Sequence, residues 1–192
     1  MIITVQVVRL CWLILVLYWI VTSFRVKAVK ERVGPRGLLV VLRLLVIGAL
    51  FYFLVNWSRE GWGILGRRFL QNTLTVRVVG DVIVLAGLIV AIWARTVLGG
   101  NWSSSVTFKE NHELIERGPY RLVRHPIYTG ILTMTLGTAI VAGRVAAFLG
   151  LIFFFVIFWL KSLKEEHLLT KHFPEAYPAY KARTKALIPF LL

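Results

Sequence analysis

Apolar residues in this chain gather into runs as long as a bilayer is thick. A helix of about 20 apolar residues crosses a hydrocarbon core, and five candidate spans can be drawn: about 2–23, 38–57, 76–98, 126–142 and 145–160. The last two are short and are joined by Gly143-Arg144, which predicts a tight turn and a helical hairpin. The first run follows Arg9 but lacks a small-residue cleavage pattern. Tyr18, Trp19 and Phe24 close it as interfacial residues do, so a retained first helix is expected. A mean hydropathy of +0.75 agrees with an integral membrane protein.

The net charge of +14 invites a nucleic-acid reading. The basic residues instead lie between the apolar runs, and no basic face interleaved with stacking aromatics stands on a soluble element. Sixteen of the 23 Lys and Arg fall in segments 24–37, 95–125 and 161–185. With five spans these three segments share one face, which the positive-inside tendency makes cytoplasmic. The N-terminus is then expected outside and the C-terminus inside. The short chain, with no retrieval signal, points to a bacterial or archaeal plasma membrane.

Two polar blocks interrupt this pattern, Glu116–Gly130 (ERGPYRLVRHPIYTG) and Lys164–Pro174 (KEEHLLTKHFP). Segment 99–125 reads as a compact cap. Val106–Phe108 and Glu113–Ile115 are expected to be short extended pieces around a turn at Lys109–His112, and Gly118-Pro119 is a further turn. Pro126 suits the first turn of a helix. His125, just before it, sits where free N–H groups and a partial positive charge meet the membrane surface. With Arg124, Tyr120 and Tyr128 around it, this is a place for a carboxylate or phosphate. After residue 160 the helix is expected to continue to about Lys171 and to be broken by Pro174 and Pro178.

Glu165 and Glu166 are adjacent and point about 100° apart on a helix, which makes them a poor cooperating acid–base pair. One of them is expected to face the bundle. Asp81 lies four residues after Arg77, so an ion pair on one helix face is expected. His112, His167 and His172 have no metal-ligand spacing, and Cys11 stands alone, so no metal site is expected. No glycine-rich nucleotide loop and no Ser or Cys nucleophile motif is present.

RGPYRLVRHPIYTG (117–130), an apolar hairpin, and then KEEHLLTKHFPEAYPAYKARTKALIP (164–189) resemble the isoprenylcysteine carboxyl methyltransferase family. The related phospholipid N-methyltransferases are similar. The resemblance covers roughly residues 99–190. It implies an all-α integral membrane protein of about five transmembrane helices, with a cytoplasmic cofactor-binding cap and a C-terminal helix. Residues 1–98 would supply the first three helices. Residues 99–192 would form the methyltransferase core: the cap, the transmembrane hairpin 126–160 and the C-terminal helix.

The resemblance further implies S-adenosylmethionine as methyl donor, leaving S-adenosylhomocysteine. Carried over by position, its contacts would be Ser105, His112, Glu113, Leu114, Ile115, Tyr120, His125, Pro126, Ile127, Tyr128 and Glu165. Lys161 stands where the eukaryotic carboxyl methyltransferases look to have a substrate-contacting Arg, and it replaces a bidentate fork by a point charge. Lys161 and Arg124 are the two expected catalytic positions. The expected acceptor is lipophilic, most simply an isoprenylcysteine-type carboxylate taken up from the bilayer. A phospholipid or isoprenoid acceptor, a membrane reductase using NADPH, and a non-catalytic lipid-binding protein remain the alternatives.

Overall fold

A computed structural model describes residues 2–24, 26–32, 63–103, 105–189 and 191. The expected second span, 38–57, lies outside the described residues. The protein is mostly helical. Helix α1 is Ile2–Ser23, α2 is Gly63–Gly66 and α3 is Leu74–Leu98; α4 is Pro126–Ala142, α5 is Val145–His172 and α6 is Ala176–Arg183. Among the described residues three stretches are long and apolar enough to cross a membrane, Gln6–Ser23, Leu74–Asn101 and Val145–His172, and Pro126–Ala142 is a shorter apolar helix.

The helix ends obey local chemistry. Thr73 caps α3 by accepting from the Val76 amide, as short hydroxyl residues do at a free helix start. Pro126 opens α4. Gly143 ends α4 in the left-handed conformation, at φ +62°, where a glycine avoids the Cβ clash. Its amide bonds to Ala139 O at 2.8 Å, and α5 starts two residues later, which makes the expected hairpin.

Helices α3 and α4 approach closely because glycines face each other at two levels. A Cβ on Gly80 would lie 2.9 Å from Gly137 O, and one on Gly87 would lie 2.6 Å from Gly130 O. Backbone-to-backbone approach of this kind is how helices associate where lipid removes any hydrophobic drive. Val84, Ala91 and Met134 fill the space around it and are fully buried. Helix α1 adds Val8, Cys11 and Leu15 to the same core. Trp12 Nε1 donates to Thr138 Oγ1 at 3.1 Å, which ties α1 to α4. At the cap end, buried Arg95 donates to Gly99 O and Thr22 O, both at 2.8 Å. It thereby joins the ends of α1 and α3.

Two expectations change here. Strand β1 (Val29–Arg32) pairs antiparallel with β2 (Thr107–Lys109), whereas Glu113–Ile115 forms no strand. The partner of β2 comes from the segment after α1 and not from within the cap. The expected Arg77–Asp81 pair also does not form. Arg77 Nε donates to Asn72 Oδ1 at 2.6 Å, and Asp81 Oδ1 is buried with no hydrogen-bond partner.

The cap is fastened to the end of α5. Lys171 and His172 both contact Glu31 of β1, at 2.8 and 2.7 Å, and the His172 ring stacks on Phe108 of β2 at 3.7 Å.

If the α3–α4 approach holds the bundle, Gly137→Val should lower stability by about 1–3 kcal/mol, the usual cost of overpacking. Thermal unfolding in detergent should show a clear fall in midpoint, whereas Val82→Ala, at an exposed position of α3, should cost less.

Candidate active site

The site is built where the start of α4 meets the middle of the cap end of α5. Pro126 locks the first turn of α4, so His125 takes the N-cap position. The chain after α6 then runs beside this turn. Arg124 N donates to Lys185 O at 2.8 Å and His125 N to Ala186 O at 3.0 Å. Thr129 Oγ1 donates to Leu187 O at 2.6 Å. Tyr180 OH donates to Tyr120 O at 2.6 Å. These bonds leave His125 and Arg124 little freedom, and both side chains are buried.

Glu165 and Glu166, on α5, bracket the His125 ring. Nδ1 lies 3.5 Å from Glu165 Oε2, and Nε2 lies 3.4 Å from Glu166 Oε1. The 100° between adjacent helix positions therefore separates the two carboxylates around one imidazole, and both face the bundle. Glu166 also accepts from Arg124 Nε at 2.9 Å and from Lys181 Nζ at 2.7 Å. Arg124 continues to the Thr184 carbonyl. A buried carboxylate of this kind must be compensated, and Arg124, Lys181 and His125 do so.

Glu165 is the more open of the two, with 22% of its side chain exposed against 6% for Glu166. Tyr128 OH donates to Glu165 Oε1 at 2.7 Å, and Lys161 Nζ lies 3.9 Å from the same oxygen, one turn earlier on α5. The Lys161 ammonium also lies 5.1 Å from the centre of the Tyr128 ring, within cation–π range. Tyr128 stacks between His125 at 5.5 Å and Phe158 at 4.8 Å. A carboxylate beside an electron-rich ring, already holding one cation, is a donor set suited to a sulfonium or ammonium group.

The expected site residues fall into two groups. Tyr120, Ile127 and Tyr128 share one buried cluster, against which Ile115 packs, and His125, Pro126, Glu165, Lys161 and Arg124 surround it. Ser105 and His112 belong to the cap: Ser105 is buried beside Val106, and the His112 ring stacks on Phe108 at 4.8 Å. Glu113, Leu114 and Ile115 line a cavity of about 530 Å³. Sequence reasoning missed Glu166 as a site residue. Its adjacency to Glu165 was visible, but the convergence of Arg124, Lys181 and His125 on it needs the fold.

The burial of His125 alone would push its pKa down, but hydrogen bonds and charge from Glu165 and Glu166 outweigh this and hold it above 6.5, its ordinary value. Burial also pushes the Tyr120 phenol far above its usual range, so it remains a hydrogen-bond donor, here to Ala94 O at 3.4 Å.

A raised folded value means that His125 contributes stability fully below about pH 6.5 and loses it as the pH rises through the folded pKa. Thermal midpoints should therefore fall between neutral and alkaline pH, and the slope should be shallower in His125→Gln.

The model of the phospholipid methyltransferase family matches residues 75–176, just over half of the chain. A probable protein-S-isoprenylcysteine O-methyltransferase of Oryza sativa subsp. indica is 29% identical over 122 residues, covering 60% of this chain and 62% of that protein. Protein-S-isoprenylcysteine O-methyltransferase B of Arabidopsis thaliana is 28% identical over 123 residues, 62% of this chain and 58% of that protein. The nickel-cobalt-cadmium resistance protein NccN of Alcaligenes xylosoxydans xylosoxydans is 32% identical over 122 residues, 62% of this chain and 50% of that protein. The chain thus spans about three fifths or less of these relatives' length.

Proposed function

The chain belongs to the phospholipid methyltransferase family, and from that premise we propose that it is a membrane methyltransferase using S-adenosylmethionine on a lipophilic, carboxylate-bearing acceptor. The observation that carries this reading is the cluster of Glu165, Tyr128 and His125 at the mouth of the helix bundle. Relatives named isoprenylcysteine O-methyltransferases support it.

S-adenosylmethionine, when bound, supplies a methyl group carried on a positively charged sulfur. Glu165 would offer that charge a carboxylate, held in place by the Tyr128 hydroxyl. His125, Pro126, Ile127 and Tyr120 shape the wall around it, and Ile115 closes the wall from the cap side. Ser105, His112, Glu113 and Leu114 would meet the remainder of the cofactor from the cap. Displacement at the methyl carbon requires alignment and exclusion of water more than proton transfer. Ile127, Phe158 and Tyr128, buried together, provide the dry surface. Lys161, partly exposed beside Glu165, would hold the acceptor's negative oxygen and orient it. Arg124 acts through Glu166, keeping the His125 ring in place.

A carboxylate acceptor is favoured over an amine on one ground. An amine must lose a proton, and the candidate base, His125, has both ring nitrogens engaged by carboxylates. A carboxylate arrives as a nucleophile and needs no base. The acceptor's chain would lie in the bilayer against the exposed apolar faces of α3 and α5. By the positive-inside tendency, the cap and its site would face the cytoplasm.

Calorimetric titration of the detergent-purified protein should show S-adenosylhomocysteine binding and no NADPH binding. Glu165→Ala and His125→Ala should each weaken that binding at least tenfold, and normal binding by both variants would remove these residues from the site. Lys161→Ala should instead leave cofactor binding within a few-fold and lower kcat/KM for a prenylcysteine acceptor tenfold or more, read by labelled-methyl transfer.

A further inference from the structure

The end of the bundle opposite the cap carries a cluster of arginines that the methyl-transfer reading does not use. Helices α3 and α4 run antiparallel, so the start of α3 and the end of α4 meet there. The 25 residues of α3 separate this end from the cap, roughly 37 Å at about 1.5 Å per residue. The segment before α3 is joined to the α4–α5 turn. Phe69 N and Leu70 N donate to Gly143 O at 3.0 and 3.3 Å, and Val145 N donates to Arg67 O at 3.3 Å. Arg68 is thereby laid over the last turn of α4. Its Nε donates to Leu70 O at 3.0 Å, and its Nη2 donates to Asn72 Oδ1 and Val141 O, both at 3.1 Å. Gly143 makes room for it, since a Cβ there would lie 3.0 Å from Arg68 Nε. Arg77, in the first turn of α3, reaches the same Asn72 oxygen at 2.6 Å.

Two guanidinium groups therefore share one neutral oxygen. Among the described residues no carboxylate pairs with either of them. The three oxygens that hold Arg68 belong to an amide and two backbone carbonyls, and the Arg77–Asp81 pair does not form. Burial, and then the charges of Arg144 and Arg77, hold the Arg68 guanidinium below its ordinary pKa. The start of α3 adds a partial positive charge. Each guanidinium has five N–H donors, and these bonds leave the Nη1 group of Arg68 and both terminal groups of Arg77 unspent. Arg68 is exposed and Arg77 half-buried, so an anion can reach them. Arg68 is already fixed by its acceptors and would lose little side-chain freedom on binding one.

The neighbouring side chains set the depth of the cluster. Phe69 is 54% exposed and packs on Phe148 of α5 at 5.1 Å. Leu74 is 74% exposed, and the exposed apolar stripe continues at four-residue spacing through Val78 and Val82 of a membrane-length helix. Cations ring the end of the span, and lipid-facing surface starts beside them. That is the level of lipid headgroups, and guanidinium groups take phosphate oxygens through paired N–H donors.

We propose that Arg68 and Arg77 bind the phosphate of an anionic phospholipid in the leaflet opposite the cap, with its acyl chains lying along Leu74, Val78 and Val82. The lipid neutralises the arginine cluster and anchors this end of the α3–α4 pair at the membrane surface. It lies at the far end of α3 from His125 and is not the methyl acceptor.

Native mass spectrometry of the full chain from mixed micelles tests this independently of methyl transfer. Phosphatidylglycerol should stay bound in preference to phosphatidylcholine at equal concentration, and it should raise the thermal midpoint. Asn72→Asp keeps the shape and the acceptor oxygen of Asn72 but places a carboxylate between the two guanidinium groups. Without lipid its midpoint should equal or exceed that of the wild type, while its phosphatidylglycerol binding should weaken about tenfold or more. Arg77→Gln, which leaves the Arg68 contacts intact, should weaken binding as well. Arg121→Gln, in the cap, should not. Unchanged phosphatidylglycerol retention in Asn72→Asp, equal retention of both lipids, or equal loss in Arg121→Gln would overturn the proposal. Full competition by soluble glycerol 3-phosphate would make the ligand a free phosphate ester and overturn the lipid assignment.

Discussion

The His125 ring, held between Glu165 and Glu166, is the contact on which the functional half of the molecule depends. Three chain segments converge on it: the start of α4, the cap end of α5 and the strip after α6. Each brings a charge that would be costly to bury alone. Glu166 satisfies Arg124 and Lys181, while Glu165 is left to Tyr128 and Lys161. Two neighbouring residues of one type therefore have different work. The more buried one compensates fixed charges of the protein, and the more open one keeps 22% of its side chain exposed.

That arrangement needs α4 to start at a fixed height, and the glycine contacts set it. Gly80 against Gly137 and Gly87 against Gly130 are two levels of one antiparallel register, seven residues apart on each helix. Sliding α4 along α3 would drive backbone into backbone at both levels. Pro126 stands four residues before Gly130, so the register that packs the membrane helices also places the N-terminus that carries His125. Packing and chemistry are linked here through one rigid helix.

Much of this was legible in the sequence because it is local. Apolar runs gave the described membrane-length helices, Pro126 and Gly143 gave the ends of α4, and the RHPIY and KEEH segments marked the residues that meet at the site. What escaped the sequence was pairing between distant segments. Val29–Arg32 reads as a charged linker until Thr107–Lys109 is set beside it. Helix spacing favours Asp81 for Arg77, yet Arg77 bonds to Asn72, from the segment before the helix. Which of Glu165 and Glu166 faces the bundle is not legible locally, because nothing in the vicinity reveals that Lys181 and Arg124 return to Glu166.

The β1–β2 pair also gives the N-terminal part of the chain a role that its lack of motifs conceals. Glu31 takes Lys171 and His172 from the last turn of α5, six residues beyond Glu165 and Glu166 respectively. The strand that follows α1 therefore restrains the same helix whose carboxylates hold His125. Arg95 does the equivalent at the other side of the cap, bonding the end of α1 through Thr22 and the end of α3 through Gly99. A half-chain of 99–192 would retain every motif residue and lose both restraints. The first helix with its strand thus helps to hold the motif residues in place.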